Sequence, residues 1–284
     1  MLTQKEITLD NQHYTKQAVI YMDTDIHPRG AALYFHGGGL LYGLKTDLPE
    51  LHIAQLTQAG YAVIAYDYPL APAAKLPFII DDVCASINHY IDHSHDYVGG
   101  SLPYFLWGRS AGAYLCLMAA ALSRLSSPPK GVLSYYGYGF LCDSWFKTPS
   151  AYYLSLPAVD ESCLAGCADE LCALGELDTH YSRYVYARQS GQWLSLIYEG
   201  REKLFYLEHS LRAVDSLPCP LFCAHSTGDT DVPYEEFLAL CSKFNARRFI
   251  APCSTHDFDR DTDSELTSRL LAETIDFLNR ALGA

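Results

Sequence analysis

Gly108-Arg109-Ser110-Ala111-Gly112 sets a serine between two glycines, with an apolar run before it and an alanine-rich run after it. In the pattern G-x-S-x-G, small flanking residues permit a sharp strand-to-helix turn that lifts the hydroxyl clear of the backbone, where it can act as a nucleophile. With glycine near 7% of residues and serine similar, the pattern arises by chance in roughly one chain in ten of this length, so its context decides. A second glycine run, His36-Gly37-Gly38-Gly39, also follows an apolar stretch. Its glycines let the backbone approach a substrate and turn N–H groups towards developing negative charge. The amide of Ala111, at the start of the helix after the serine, faces the same charge.

A hydroxyl is a poor nucleophile at neutral pH, so Ser110 needs a base, and the base needs a carboxylate to fix its tautomer and stabilise the imidazolium. Leu221–His225 reads as a strand and leads into Ser226-Thr227-Gly228-Asp229-Thr230-Asp231-Val232-Pro233, which puts a carboxylate in the loop at the strand's end. Asp229 is the expected acid, with Asp231 as its rival; either can instead form the turn or cap the helix that follows. Arg247–Ala251 reads as the next strand, and His256, in the loop after it, is the expected base. Of the eleven histidines it alone has that placement. His225, at the end of a buried strand, is expected to be packed or to brace the loop, and His36 to brace the glycine loop.

Residues in such positions need a scaffold of strands whose ends converge. Short β-rich apolar runs alternate with longer amphipathic stretches, the signature of a mostly parallel central sheet flanked by helices. Strands are expected near residues 5–9, 14–22, Ala31–Phe35, Tyr61–Tyr66, Leu102–Trp107, Gly131–Tyr135, Leu221–His225 and Arg247–Ala251. Helices are expected over Leu48–Ala59, from Pro77 onwards with Ile80, Val83, Ile87 and Ile91 on one face, over Ala111–Leu125, Pro233–Phe244 and Thr262–Leu282. Between about Leu141 and Leu217 the strand pattern gives way to aromatic and leucine residues at helical spacing. This is expected to be an inserted helical cap (141–217), dividing a core of 1–140 and 218–284. Within it Asp178 is a candidate helix cap, and Leu204, Leu207, Leu211 and Val214 the apolar face of one helix.

The 284 residues are 49% apolar and 19% charged, enough to build a sizeable core, and the net charge is −13. The basic residues form no stripe that could follow a phosphate backbone, so nucleic acid is not an expected partner. No run of about 18 apolar residues suggests a membrane span, and the N-terminal stretch lacks the pattern of a secretory signal, which points to a cytoplasmic protein. Several of the ten cysteines, among them Cys84, Cys116 and Cys223, fall in apolar runs and are expected to be reduced core thiols. Cys163, Cys167 and Cys172 lack zinc-site spacing, and no metal site is expected.

Taken together, His36–Gly39, GRSAG at 108–112, HSTGDTDVP at 225–233, THDF at 255–258 and DYPLAP at Asp67–Pro72 resemble the hormone-sensitive-lipase-like carboxylesterases and related small bacterial esterases. The resemblance spans roughly residues 30–140 and 218–282 and implies an α/β-hydrolase fold. It also implies oxyanion donors at Gly38, Gly39 and Ala111, with nucleophile, acid and base at Ser110, Asp229 and His256. Two features depart from the family: Arg109 stands where an acidic residue or histidine is usual, and DYPLAP runs on into Ala73-Ala74-Lys75. Arg109 is expected to make a structural salt bridge rather than to contact an acidic substrate.

The expected reaction is two-step acyl transfer on small carboxylic esters of short to medium acyl or aryl type, with no metal or organic cofactor. The expected partner is a small-molecule ester, and a homodimer is left open. Tyr42, Tyr138, Trp145, Tyr152 and Tyr153 either line the pocket or pack the core. Two alternatives stand beside this one: an amidase or peptidase using the same triad, and a ligand-binding protein that keeps the fold without turnover.

Overall fold

The computed structural model describes residues 1–9 and 13–283. Eight strands form one sheet: β1 Leu2–Leu9, β2 Lys16–Asp23, β3 Gly30–Phe35, β4 Tyr61–Tyr66, β5 Tyr104–Arg109, β6 Val132–Tyr135, β7 Leu221–Ser226 and β8 Arg247–Ala251. Their order is β1-β2-β4-β3-β5-β6-β7-β8. The β1–β2 and β2–β4 pairs are antiparallel, and every pair from β4 through to β8 is parallel.

Side chains on a strand alternate between faces, and here the alternation sorts the core into two layers. Ala31, Leu33, Phe35, Ala62, Ile64, Tyr66, Tyr104 and Leu106 face one layer with α2 (Leu76–Val98), α3 (Ala111–Ala121) and α8 (Tyr234–Phe244). Ala32, Tyr34, Tyr61, Val63, Ala65, Phe105 and Trp107 face the other, with α1 (Glu50–Gln58) and α9 (Glu265–Ala281). Central strands buried on both faces read as continuous apolar runs rather than as alternating ones, which is why they stand out in the sequence.

β3 feeds β4 on one side while β5 lies on its other side, with Phe35 opposite Gly108. The order reverses there, and in open parallel sheets ligands bind outside the carboxyl ends of strands at such a switch. The glycine loop leaves β3 and Ser110 leaves β5 at that point.

Between β6 and β7 the described residues form no strand. They form α4 (Ala151–Leu154), α5 (Leu177–Ser190), α6 (Trp193–Ile197) and α7 (Glu202–Glu208), with short 3₁₀ turns between them. Two details of the expected pattern need correction here. Asp178 lies in the first turn of α5, whose N-cap is Glu176. Leu204, Leu207, Leu211 and Val214 do not form one apolar face: α7 ends at Glu208, Leu204 and Leu207 are exposed, and Phe205 and Leu211 are the buried residues. The seven-residue helix turns its aromatic side inward, because Phe205 stacks on Phe146 at 6.1 Å and packs beside Tyr198 at 5.2 Å.

Candidate active site

Ser110 sits at the junction of β5 and α3 with φ 52° and ψ −118°. A non-glycine residue there stores roughly 1–3 kcal/mol of strain and persists only where its surroundings over-determine it. They do: the Ser110 N–H donates to the Tyr135 carbonyl at 2.9 Å, and its own carbonyl accepts from Tyr114 N–H at 3.1 Å. The flanking glycines are required by close approach. A Cβ on Gly112 would lie 2.0 Å from the Phe35 carbonyl oxygen, and one on Gly108 2.2 Å from the Ala113 nitrogen.

His256, after β8, and Asp229, after β7, meet this serine. His256 Nε2 lies 2.9 Å from Ser110 Oγ, and His256 Nδ1 lies 2.7 Å from Asp229 Oδ2. Asp229 Oδ1 accepts from the N–H groups of Asp231 at 2.8 Å and Val232 at 3.0 Å. Burial pushes the Asp229 carboxyl up, but the neighbouring His256 and His225 and the Asp231 amide outweigh it and hold it below the usual range. For His256 burial works to lower the imidazole, and Asp229, Asp231 and Asp257 overcome it, pushing it up to about 9. A carboxylate set that favours imidazolium is what a base must have once it has taken a proton.

Asp231 is placed differently from Asp229. Its carboxylate binds the Tyr184 hydroxyl and Arg188, and its Oδ2 lies 3.9 Å from His256 Nε2. His225 braces the loop that carries Asp229, its Nε2 3.0 Å from the Val232 carbonyl and 3.2 Å from Asp229 Oδ2.

The glycine loop lies beside the serine: a Cβ on Gly37 would touch Ser110 Cβ at 3.3 Å. Gly38 adopts φ +97° and its carbonyl accepts from Leu41 and Tyr42 N–H, closing a tight turn in which a Cβ would meet the Tyr42 carbonyl oxygen at 1.9 Å. Among the described residues the N–H groups of Gly38, Gly39 and Ala111 donate to no protein acceptor. His36 stacks on Tyr68 at 4.1 Å and turns Nδ1 to the Gly37 carbonyl, and the Tyr68 hydroxyl donates to the carbonyl of His36. Burial lowers the His36 imidazole, so it braces the loop as a neutral ring.

Arg109 is buried behind the serine. Its Nη2 donates to Asp259 Oδ1 at 2.9 Å, its Nε donates to the Tyr136 hydroxyl, and Asp47 lies 3.6 Å from Nη1. His52 Nε2 is 2.9 Å from the other Asp259 oxygen. Burial pushes the Asp259 carboxyl up, yet Arg109 and His52 hold it well below the ordinary range. An unpaired buried guanidinium costs several kcal/mol, so the unusual residue before the serine is answered by Asp259, three residues after His256. The same cluster fixes Tyr136, whose ring meets the His256 ring edge-on at 4.7 Å.

Ser110 and His256 open on a cavity of about 650 Å³. Tyr42, Tyr152 and Tyr153 line it, together with Tyr181 and Tyr184 from α5. Tyr138 and Trp145 do not. Tyr138 stacks on Tyr114 at 5.0 Å, and Trp145 Nε1 donates to Glu236. Sequence reasoning passed over Tyr136, Tyr181, Tyr184, Arg188 and Asp259. Only Asp259 carries a local signal, as a carboxylate near His256; the others are placed by long-range packing. Among the described residues no group of three or more His, Cys, Asp or Glu is arranged to hold a metal, all ten cysteines are free, and no helix is long and apolar enough to cross a membrane.

The whole architecture is shared with known structures. A Staphylococcus aureus protein of unknown function superposes with a TM-score of 0.82 at 28% identity, over 98% of this chain and 99% of that one. An α/β hydrolase superfamily protein from Enterococcus faecalis gives 0.82 at 25% identity, with the same coverage. An acetyl esterase from Salmonella schwarzengrund is 29% identical over 134 residues, which are 46% of this chain and 38% of that protein. The matched segments span well under half the length of the curated relatives. Residues 20–244, from β2 to the end of α8 and so including both glycine loops and Asp229, match BD-FAE. With its mostly parallel eight-stranded sheet and its helices on both faces, the chain has the α/β-hydrolase fold and belongs to the BD-FAE family.

Proposed function

We propose that the protein is a serine hydrolase of small carboxylic esters, with Ser110 as nucleophile, His256 as base and Asp229 as acid. The carrying observation is the unbroken chain from Ser110 Oγ through His256 to Asp229, at 2.9 and 2.7 Å. His256 takes the serine proton as Oγ attacks the ester carbonyl, and the N–H groups of Gly38, Gly39 and Ala111 receive the oxyanion. The imidazolium then protonates the leaving alcohol, and water, activated by the same ring, releases the acid.

The acetyl esterase among the relatives supports an ester of short acyl chain. The tyrosine-lined cavity supports acyl or aryl groups of modest size. In this proposal residues 141–217 act as a cap, since α4 and α5 supply Tyr152, Tyr153, Tyr181 and Tyr184 to the cavity wall.

The test is labelling by a fluorophosphonate probe together with hydrolysis of p-nitrophenyl esters and the matched anilides. Wild type is expected to be labelled and to cleave the esters far faster than the anilides, and Ser110→Ala to lose both labelling and at least ~10⁴-fold in kcat. An unlabelled wild type, or a mutant with full activity, overturns the proposal.

A further inference from the structure

Asp231 is left without a task by the triad. Its carboxylate is almost buried yet lines the cavity, with Oδ2 3.9 Å from His256 Nε2, the nitrogen that faces Ser110. Burying a carboxylate is costly unless it is paired, and α5 pairs it. The Tyr184 hydroxyl lies 2.9 Å from both oxygens, and Arg188 Nε lies 3.2 Å from Oδ1. Arg188 also donates from Nη2 to the Asp231 carbonyl at 3.1 Å and from Nη1 to the Trp145 carbonyl at 2.9 Å. On the glycine-loop side the Tyr184 ring packs so close to Gly39 that a Cβ there would fall 2.1 Å from it. One helix therefore touches both the loop with the oxyanion amides and the loop that bears the acid.

We propose that α5 is a positioning element shared by the two halves of the site, and that Asp231, held by Tyr184 and Arg188, is a second carboxylate that orients and stabilises the His256 imidazolium. This rests on the roles assigned above to Ser110, His256 and Asp229. Asp231 stands beyond hydrogen-bond distance of the ring, so it acts through charge and placement rather than by proton transfer.

The charged and titratable groups around His256 set the expected sign. Asp229 faces Nδ1, with His225 behind it; Asp231 faces Nε2, with Arg188 behind it; Asp257 adjoins His256 and is paired with Arg260; and the Tyr136 ring, tied to Arg109, covers one edge. Turnover needs neutral His256, so kcat/KM rises with pH through the ring's titration. Removing the Asp231 charge makes the proton easier to lose. Removing Arg188 leaves that charge uncompensated and makes the proton harder to lose.

The experiment is the pH profile of kcat/KM for a p-nitrophenyl ester in wild type, Asp231→Asn and Arg188→Met, with fluorophosphonate labelling of each. Asp231→Asn is expected to move the acid limb to lower pH by about one unit and to lower the plateau roughly 10- to 100-fold, with Ser110 still labelled. Arg188→Met is expected to move the limb to higher pH, and it carries the test alone if Asp231→Asn does not fold. Limbs that stay at the wild-type position in labelled, Ser110-dependent variants overturn the role of Asp231 and leave the triad standing. Loss of Ser110 dependence in the wild type overturns the triad itself.

Discussion

The loops at the ends of β3, β5, β7 and β8 and the helical stretch between β6 and β7 border the same cavity but are held in different ways. The loops inherit their positions from the sheet: register places Phe35 opposite Gly108, and backbone bonds such as Thr227 N–H to the Ala251 carbonyl join the acid loop to the next strand. The helical stretch has a few backbone ties to the core, the paired bonds between Gly43 and Gly175 and the bond from Leu70 N–H to the Cys172 carbonyl, and is otherwise held by side chains that reach for backbone. Glu236 accepts N–H groups from Gly139, Phe140 and Cys142, Arg212 donates to the carbonyls of Phe140 and Leu141, and Gln189 donates to those of Tyr153 and Pro157. Geometry built on a sheet survives the loss of one side chain, whereas geometry built on single polar anchors does not. Substitutions in the first region should therefore change chemistry with little change in stability, and those in the second should do the reverse.

After Ser110→Ala, the largest expected effect is that of Asp229→Asn. The amide retains the shape and can still receive an N–H from the acid loop, but it no longer fixes the His256 tautomer or stabilises its cation. A kcat loss of roughly 10³- to 10⁴-fold is expected, against the 10- to 100-fold loss for Asp231→Asn, with a urea midpoint near that of wild type. If the two variants lose activity equally, the acid is not Asp229 alone. If Asp229→Asn unfolds the protein, the acid loop is not held by the sheet in the way described.

The same contrast explains which parts could be read from the residues alone. β3, β4, β5 and β7 are apolar runs with glycine or charged loops at their ends, and each falls within a few residues of its expected place, because burial on both faces leaves little compositional freedom. Ser110 and the glycine run are local motifs, and strand order points to His256 and to the loop that carries Asp229 and its rival Asp231. Nothing local says that Arg109 will meet Asp259 or that Tyr184 will reach Asp231, since those pairings span 150 and 47 residues. The apolar spacing of Leu204 and Leu207 gives no buried face for a related reason. The helical spacing of these residues runs past the end of α7 at Glu208 into the separate turn Leu211–Ala213, and a periodicity carried over two separate turns has no common face.

Glu236→Gln probes the second region. Leu141, Asp143 and Ser144 all have φ between 50° and 58°, a left-handed run that non-glycine residues resist. Glu236 holds the start of this segment with Oε2 on Gly139 and Phe140 and Oε1 on Cys142 and the Trp145 indole, at 2.5–3.2 Å. A glutamine must turn an NH₂ towards donors that already point at it. A loss of about 2–4 kcal/mol is expected, read as a lowered urea midpoint, with kcat in the folded protein changed less than tenfold. A large loss of kcat at unchanged stability would mean that Glu236 acts on the site rather than on the fold of the segment that leads into it.

The smallest effect belongs to Leu207→Ser. Leu207 is 55% exposed although it stands beside the fully buried Phe205, so the pair separates inward from outward on one short helix. Substitutions at exposed positions without special contacts stay within about 0.5 kcal/mol, whereas emptying the Phe205 site would cost ~3–5 kcal/mol. Leu207→Ser should therefore leave the urea midpoint and the acid limb of kcat/KM where they are. A stability loss above about 2 kcal/mol would show that Leu207 is covered in solution. Because a second copy of the chain is one way to cover it, the same measurement repeated at several protein concentrations decides the cause: a loss that grows with concentration belongs to association between copies, and a constant loss belongs to the helix itself.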